Sequence, residues 1–341
     1  MTINILIVGA GAVGAFYGSR LAQVSDVQVS VICRSNYKAV VENGFSVTSP
    51  KYGDYKFIPH RTFSNPQEAR DAKESWDYIV VSTKALPDVS DDSEILEGLV
   101  DKARSSIVLI QNGLGVEDPY AKRFSSTILS AVTVVSAEQT SPGIIKHNRW
   151  TRISIGPYLP GVVDTTELND VQKVAGQRNT TFVKLLQQGG IKDAQDYSHA
   201  KLQMVRWHKI AINASMNPSA VLSAGTTNNE MSLDPELYIH LKGVMDEVLT
   251  TAPRVLGTPL PEDFATSEQL LQSTQRNTSG SKPSMLLDWE QGRTMELEVI
   301  LGNPIRIARS HGLEMPRLQT LYALLRKAQE NRKKEKGPSR L

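Results

Sequence analysis

At 341 residues, with 40% hydrophobic and 22% charged residues and a formal net charge of +2, the chain is long enough for two domains with sizeable cores. So small a net charge does not suggest a nucleic-acid surface, and the lone cysteine, Cys33, excludes an internal disulfide and fits a reducing compartment. The six histidines lack metal-ligand spacing, so no metal is expected, and no run approaches the ~20 apolar residues that a membrane span needs.

The first element is an apolar run, Ile3-Asn4-Ile5-Leu6-Ile7-Val8, that opens directly into Gly9-Ala10-Gly11-Ala12-Val13-Gly14. A buried strand followed by G-x-G-x-x-G reads as a dinucleotide site. The first Gly permits the tight turn, the second lets the backbone approach a pyrophosphate, and the third lets the next helix pack closely. An amphipathic helix over Ala15 to Ala22 and a second strand over Val27 to Ile32 complete the unit. An NAD protein usually carries Asp or Glu about 20 residues beyond the glycines. Here the strand runs instead into Cys33-Arg34-Ser35-Asn36, which favours NADP through the Arg34 guanidinium unless Arg34 is only a solvated loop residue. Cys33 itself reads as a small strand-end residue rather than a nucleophile.

A helix is expected around Tyr37 to Glu42, with short strands over Phe45 to Ser49 and Tyr55 to Ile58. Further on, strands are expected over Trp76 to Thr83, Ser106 to Ile110, Thr127 to Val135 and Thr151 to Ile155, with helices over Asp92 to Ala103 and near Asp170 to Gln188. Strands alternating with helices argue for an α/β fold with a doubly wound parallel sheet. From Ala200 the strand signal stops, and helices broken at Pro218, Pro253, Pro259, Pro261 and Ser279-Gly280 follow. The expected organisation is a Rossmann-type nucleotide-binding domain over 1–197, an all-α substrate domain over 198–329, and a basic disordered tail over 330–341.

Within the helix from Lys201 to Asn217, Arg206, Lys209, Asn213 and Asn217 share an arc of about 80°, while the other faces carry Met204, Val205, Trp207, Ile210, Ala211, Ala214 and Met216. A buried ammonium and buried amides need partners, supplied either by neighbouring backbone or by a wet cleft. Gln111-Asn112-Gly113 follows the strand ending at Ile110, where open α/β sheets bind ligands, although Asn-Gly also makes ordinary turns. Ser284 precedes an apolar run and reads as an N-cap. Glu296 and Glu298 are indistinguishable by pattern.

Gly9-x-Gly11-x-x-Gly14, Ser82-Thr83-Lys84, Gln111-Asn112-Gly113, Pro142-Gly143, Trp207-His208-Lys209 with Asn213 and Asn217-Pro218, Ser284-Met285 with Asp288, and Arg293 with Glu296 follow one another in this order. Together they make the chain, from Ile3 to about Lys327, resemble the ketopantoate reductase (2-dehydropantoate 2-reductase) family. The resemblance implies a Rossmann domain and a helical domain like that of 6-phosphogluconate dehydrogenase, with NADPH/NADP+ as cofactor. It implies hydride transfer to ketopantoate, giving D-pantoate for pantothenate and coenzyme A biosynthesis.

Carried over, Lys209 is the general acid, and Glu296 binds the substrate's primary hydroxyl and holds Lys209. Asn112, Asn213, Asn217 and Ser284 contact the substrate. Gly9, Gly11, Ala12, Val13, Gly14, Arg34, Lys84 and Asn112 bind the cofactor. Leu301-Gly302-Asn303-Pro304 stands where relatives often have a polar residue before the Gly, and the Gly156 to Thr166 and Gln272 to Lys282 segments look long, so another 2-oxo acid or ketone is the alternative substrate. A third reading, an NADP-binding sensor without turnover, leaves Lys209, Glu296, Asn213 and Asn217 unexplained.

The expected partner is a small 2-oxo acid, with no nucleic acid and no membrane; oligomeric state stays open, a homodimer included. No leader is expected ahead of the first strand, and Ser339-Arg340-Leu341 resembles the Ser-Lys-Leu peroxisomal address, so a soluble intracellular protein of the cytoplasm or peroxisomal matrix is expected. One geometric expectation concerns Ser284 and Glu296. A straight helix would part them by about 18 Å. If both serve one small substrate, the chain must break near Gly292, with a new helix from about Arg293.

Overall fold

A computed structural model describes residues 2–161 and 169–335, so Ser339-Arg340-Leu341 and part of the Gly156 to Thr166 connection lie outside the described residues. The chain divides into two compact units. The first comprises Met1–Lys84, Asp91–Gln111 and Val116–Leu202; the second comprises Ala85–Ser90, Asn112–Gly115 and Gln203–Leu341. The division thus falls after Leu202 rather than at 197, and two short segments that each follow a strand group with the helical part.

In the first unit ten strands form one sheet: β1 (Ile3–Val8), β2 (Val27–Ile32), β3 (Phe45–Thr48), β4 (Tyr55–Phe57), β5 (Thr62–Phe63), β6 (Tyr78–Val81), β7 (Ser106–Leu109), β8 (Thr127–Ser141), β9 (Ile144–Pro157) and β10 (Ala194–Asp196). The order β4-β3-β9-β8-β7-β6-β1-β2-β5 contains a parallel core from β8 to β5, with β1 between β2 and β6. This is the doubly wound arrangement, and both faces are covered: Ile5 and Ile7 enter one apolar cluster with Phe16 and Phe182, while Leu6 and Val8 enter another with Trp76 and Leu96.

The helices here are α1 (Ala12–Leu21), α2 (Tyr37–Asn43), α3 (Pro66–Asp71), α4 (Asp118–Arg123) and α5 (Asp170–Gln188). Expected as amphipathic, α1 is in fact buried over Gly14 to Ser19, because the sheet covers one side and α5 the other. Two further expectations need correction. Asp92 to Ala103 forms only a 3₁₀ turn, Asp92–Leu96, because Gly98 takes a φ of +73° and Arg70 Nε binds the Glu97 carbonyl at 2.5 Å. The two separate strands expected after Thr127 are one long antiparallel hairpin, turned at Pro142-Gly143 with Gly143 at φ +77°.

The second unit is helical: α6 (His199–Leu222), which begins in the first unit, then α7 (Asn228–Leu233), α8 (Pro235–Leu256), α9 (Ser267–Gln275), α10 (Ser284–Glu290), α11 (Asn303–Ser310) and α12 (Pro316–Glu335). Pro218 and Pro253 do not break their helices; each lies close to the C-terminal end, where little helix remains to be disrupted. The expected tail from 330 begins instead as helix. Arg332 lies over the Trp289 ring at 3.8 Å and Gln329 Oε1 accepts from Met295 N at 2.8 Å, which holds α12 in place to Glu335. No helix among the described residues is long and apolar enough to cross a membrane.

Candidate active site and nucleotide-binding loop

The glycine loop between β1 and α1 is built as its spacing requires. Gly9 has φ +93°, and a Cβ there would lie 2.8 Å from the Thr83 backbone nitrogen. At Gly14 a Cβ would strike Ser82 Oγ and the Gly9 carbonyl oxygen. Gly11 differs: a Cβ would meet nothing within 4 Å, so this loop tip faces open space beside the N-terminal amides of α1, including those of Ala12 and Val13. Asn36 Nδ2 donates to the Ala10 carbonyl at 2.8 Å and ties the loop to the end of β2. Arg34, two residues earlier, is exposed and forms no salt bridge with a described residue. Lys84, exposed, follows Ser82 and Thr83 beyond the end of β6. An open approach at Gly11 and helix amides beside it suit the pyrophosphate of a dinucleotide. Cys33 is buried, and burial pushes its thiol up to about 12, which makes it a packing residue.

In the second unit, three of the residues singled out in the sequence meet. Lys209 Nζ donates to Asn112 Oδ1 at 2.8 Å, and Asn112 Nδ2 lies 3.4 Å from Glu296 Oε2. The other carboxylate oxygen, Oε1, accepts from the Ala85 N–H at 3.2 Å. Glu296 is 6% exposed, so its charge is held by donors rather than by water. Burial, and next the Arg206 guanidinium one turn earlier on α6, lower the Lys209 ammonium to about 8, with Glu296 pulling the other way. Arg206 is itself 2% exposed and donates to the Gly113 carbonyl at 2.9 Å. Such an ammonium, proton-bearing near neutral pH and fixed by an amide, can donate a proton and stabilise a developing oxyanion.

Asn213 and Asn217 continue the stripe along α6, half-buried and buried, but no hydrogen bond among the described residues joins them to Lys209, Asn112 or Glu296. Nor does one join Ser284, which is exposed. Ser284 is also not an N-cap: Pro283 holds that place without a side-chain bond, and Ser284 is the first helical residue. The break expected before Glu296 is present, since α10 ends at Glu290 and Gly292 takes φ +67°. The following helix does not start at Arg293, however. Residues 293–296 belong to no helix or strand, and a π-helical turn over Glu298–Gly302 comes first. Here Glu296 and Glu298 separate: Glu298 pairs with Arg306 at 2.7 Å and accepts from Tyr322 at 2.5 Å, while Glu296 faces Ala85 and Asn112. The Ala85 N–H carries no sequence signal, and Arg206, although part of the polar stripe, is not marked by it as the donor to the Gly113 carbonyl.

Residues 5–160 match the family model described as Ketopantoate reductase PanE/ApbA, and residues 201–329 match that of its C-terminal domain. A 2-dehydropantoate 2-reductase of Nostoc is 26% identical over 94% of this chain and 93% of its own length. An uncharacterised protein of Saccharomyces cerevisiae is 29% identical over 98% of this chain and 96% of its own. Among solved structures, 2-dehydropantoate 2-reductase from Methylococcus capsulatus superposes with a TM-score of 0.81 at 31% identity, covering 97% of this chain and 98% of that one. A D-mandelate dehydrogenase solved with NADH and anilino(oxo)acetate shares the fold, with a TM-score of 0.77 at 18% identity, over 97% of this chain and 99% of the other.

Proposed function

The chain belongs to the ketopantoate reductase family, and from that premise we propose that it reduces the ketone of a 2-oxo acid with NADPH, ketopantoate being the substrate and D-pantoate the product. The observation that carries the reading is the 2.8 Å bond from Lys209 Nζ to Asn112 Oδ1 beside the buried Glu296 carboxylate. When bound, the reduced nicotinamide supplies a hydride for C2 of the substrate. Lys209 gives a proton to the carbonyl oxygen as that oxygen becomes an alkoxide, and its positive charge stabilises the oxyanion before transfer is complete. Asn112 fixes the ammonium, so the proton is aimed rather than searched for. Glu296 keeps Lys209 charged and offers its carboxylate to the substrate's primary hydroxyl. Asn213, Asn217 and Ser284 take the remaining polar groups, with Ser284 on the carboxylate. Gly9, Gly11, Ala12, Val13 and Gly14 hold the pyrophosphate, while Arg34 and Lys84 lie toward the adenosine end.

Steady-state kinetics on a panel of 2-oxo acids test substrate and cofactor together. Ketopantoate is expected to give the highest kcat/KM, and a higher value for a 2-oxo acid without the primary hydroxyl would move the assignment to that substrate. With the best substrate, Arg34→Ala should raise the KM for NADPH by roughly tenfold or more and leave that for NADH nearly unchanged, since a charge-assisted contact contributes about 1.5–3 kcal/mol. Equal effects on both cofactors would remove Arg34 from the 2′-phosphate.

A further inference from the structure

Asn112 meets Lys209 on a short segment, Asn112–Gly115, that has no secondary structure of its own. Three hydrogen bonds hold its backbone. Arg206 Nη1 donates to the Gly113 carbonyl at 2.9 Å, the Leu114 N–H donates to the Val299 carbonyl at 2.9 Å, and Asn303 Nδ2 donates to the Leu114 carbonyl at 2.6 Å. Gly113 has φ +99°, and a Cβ there would come within 2.6 Å of the Val299 carbonyl oxygen, so a side chain at this position would push the segment off the turn.

The Val299 carbonyl accepts this bond for a reason written in the sequence. In an α-helix its partner would be the Asn303 N–H, but that group donates to the Glu298 carbonyl five residues back, as in a π turn. With the π spacing its partner would be residue 304, which is Pro304 and has no N–H. The carbonyl is therefore passed over by its own helix and taken by Leu114. Asn303 adds its side-chain donor one bond further along the same segment, while its Oδ1 accepts from Arg306 at 2.6 Å and so fixes which way the amide points.

We propose that Arg206 and Asn303 are positioning residues, which clamp Asn112–Gly115 onto the Pro304-built turn and so set the Asn112 amide against Lys209. The inference rests on the assignment of Lys209 as proton donor, but two of its tests need no substrate. Hydrogen exchange at the Leu114 amide should be slow in the parent and rise roughly tenfold or more in both Arg206→Met and Asn303→Ala. Unchanged exchange would overturn the clamp; where Asn303→Ala folds poorly, Asn303→Asp removes the same donor at nearly constant size. The ¹³Cε resonance of Lys209, whose charged neighbours are Arg206 and Glu296, reports its titration directly. In Asn303→Ala the midpoint should fall, because an amide oxygen that favours the ammonium form has been loosened; an unmoved midpoint contradicts positioning.

The kinetic arm then tests consequence. Asn303→Ala should lower kcat by roughly 10- to 100-fold with the KM for NADPH retained, and should cost almost nothing further in an Asn112→Ala background. Full additivity would mean that Asn303 does not act through Asn112. If the parent turns over no 2-oxo acid, the proposed function fails while exchange and titration still decide the clamp.

Discussion

Lys209→Ala is expected to lower kcat by roughly 10²–10⁴-fold and to leave the Kd for NADPH close to the parental value, because the change removes the proposed proton donor and not the nucleotide loop. In the parent, Lys209 titrates near 8, and a general acid must carry its proton, so kcat should decline as pH rises through that value. The decline should disappear from the residual activity of Lys209→Ala. Stopped-flow hydride transfer with NADPH, measured between pH 6 and pH 10, separates this from a slow product release. A variant that turns over at the parental rate, or keeps the parental alkaline limb, would exclude Lys209 as the acid.

Glu296→Gln moves the same limb to lower pH. The carboxylate opposes the effects of burial and of Arg206 on Lys209, so neutralising it leaves the ammonium less favoured and its midpoint below about 8. Each unit of that fall costs up to about tenfold in the protonated fraction at alkaline pH. The amide keeps an oxygen for the Ala85 N–H, which now donates at 3.2 Å, so the fold should tolerate the change. Glu296→Ala should in addition weaken ketopantoate more than an analogue lacking the primary hydroxyl. A pH profile that does not move in Glu296→Gln would mean that the carboxylate neither sustains the lysine's charge nor belongs to the proton-transfer chemistry.

The parts of this molecule that could be read from the sequence are those in which one residue type answers one local demand. Gly9 and Gly14 each meet a different steric requirement of the first turn while Gly11 leaves its tip open, and α5 has the expected limits because Asn169 and Gln172 form a capping box ahead of an apolar stripe. The polar stripe of α6 was visible, and two of its members, Arg206 and Lys209, bond to the Asn112–Gly115 segment. Features that depend on distant partners were not legible. The β8–β9 hairpin continues past Val135 because cross-strand pairing sustains it through its bulges, and α1 is buried on both sides because α5 returns to cover it. Glu296 could not be told from Glu298 by pattern, since a π turn decides which of them faces Ala85. Asn303-Pro304 was the only local trace of that turn.

On the proposed function, a hydride equivalent reaches C2 of a 2-oxo acid at a site where Lys209 supplies the proton. Incubation with ketopantoate and NADPH carrying deuterium at both C4 positions tests this most directly, with the product examined by proton NMR and mass spectrometry. Pantoate bearing one deuterium at C2 is expected, formed much more slowly by Lys209→Ala under the same conditions. Oxidation of the cofactor without deuterium at C2 of ketopantoate or of any other 2-oxo acid, or equal labelling rates with and without Lys209, would contradict it.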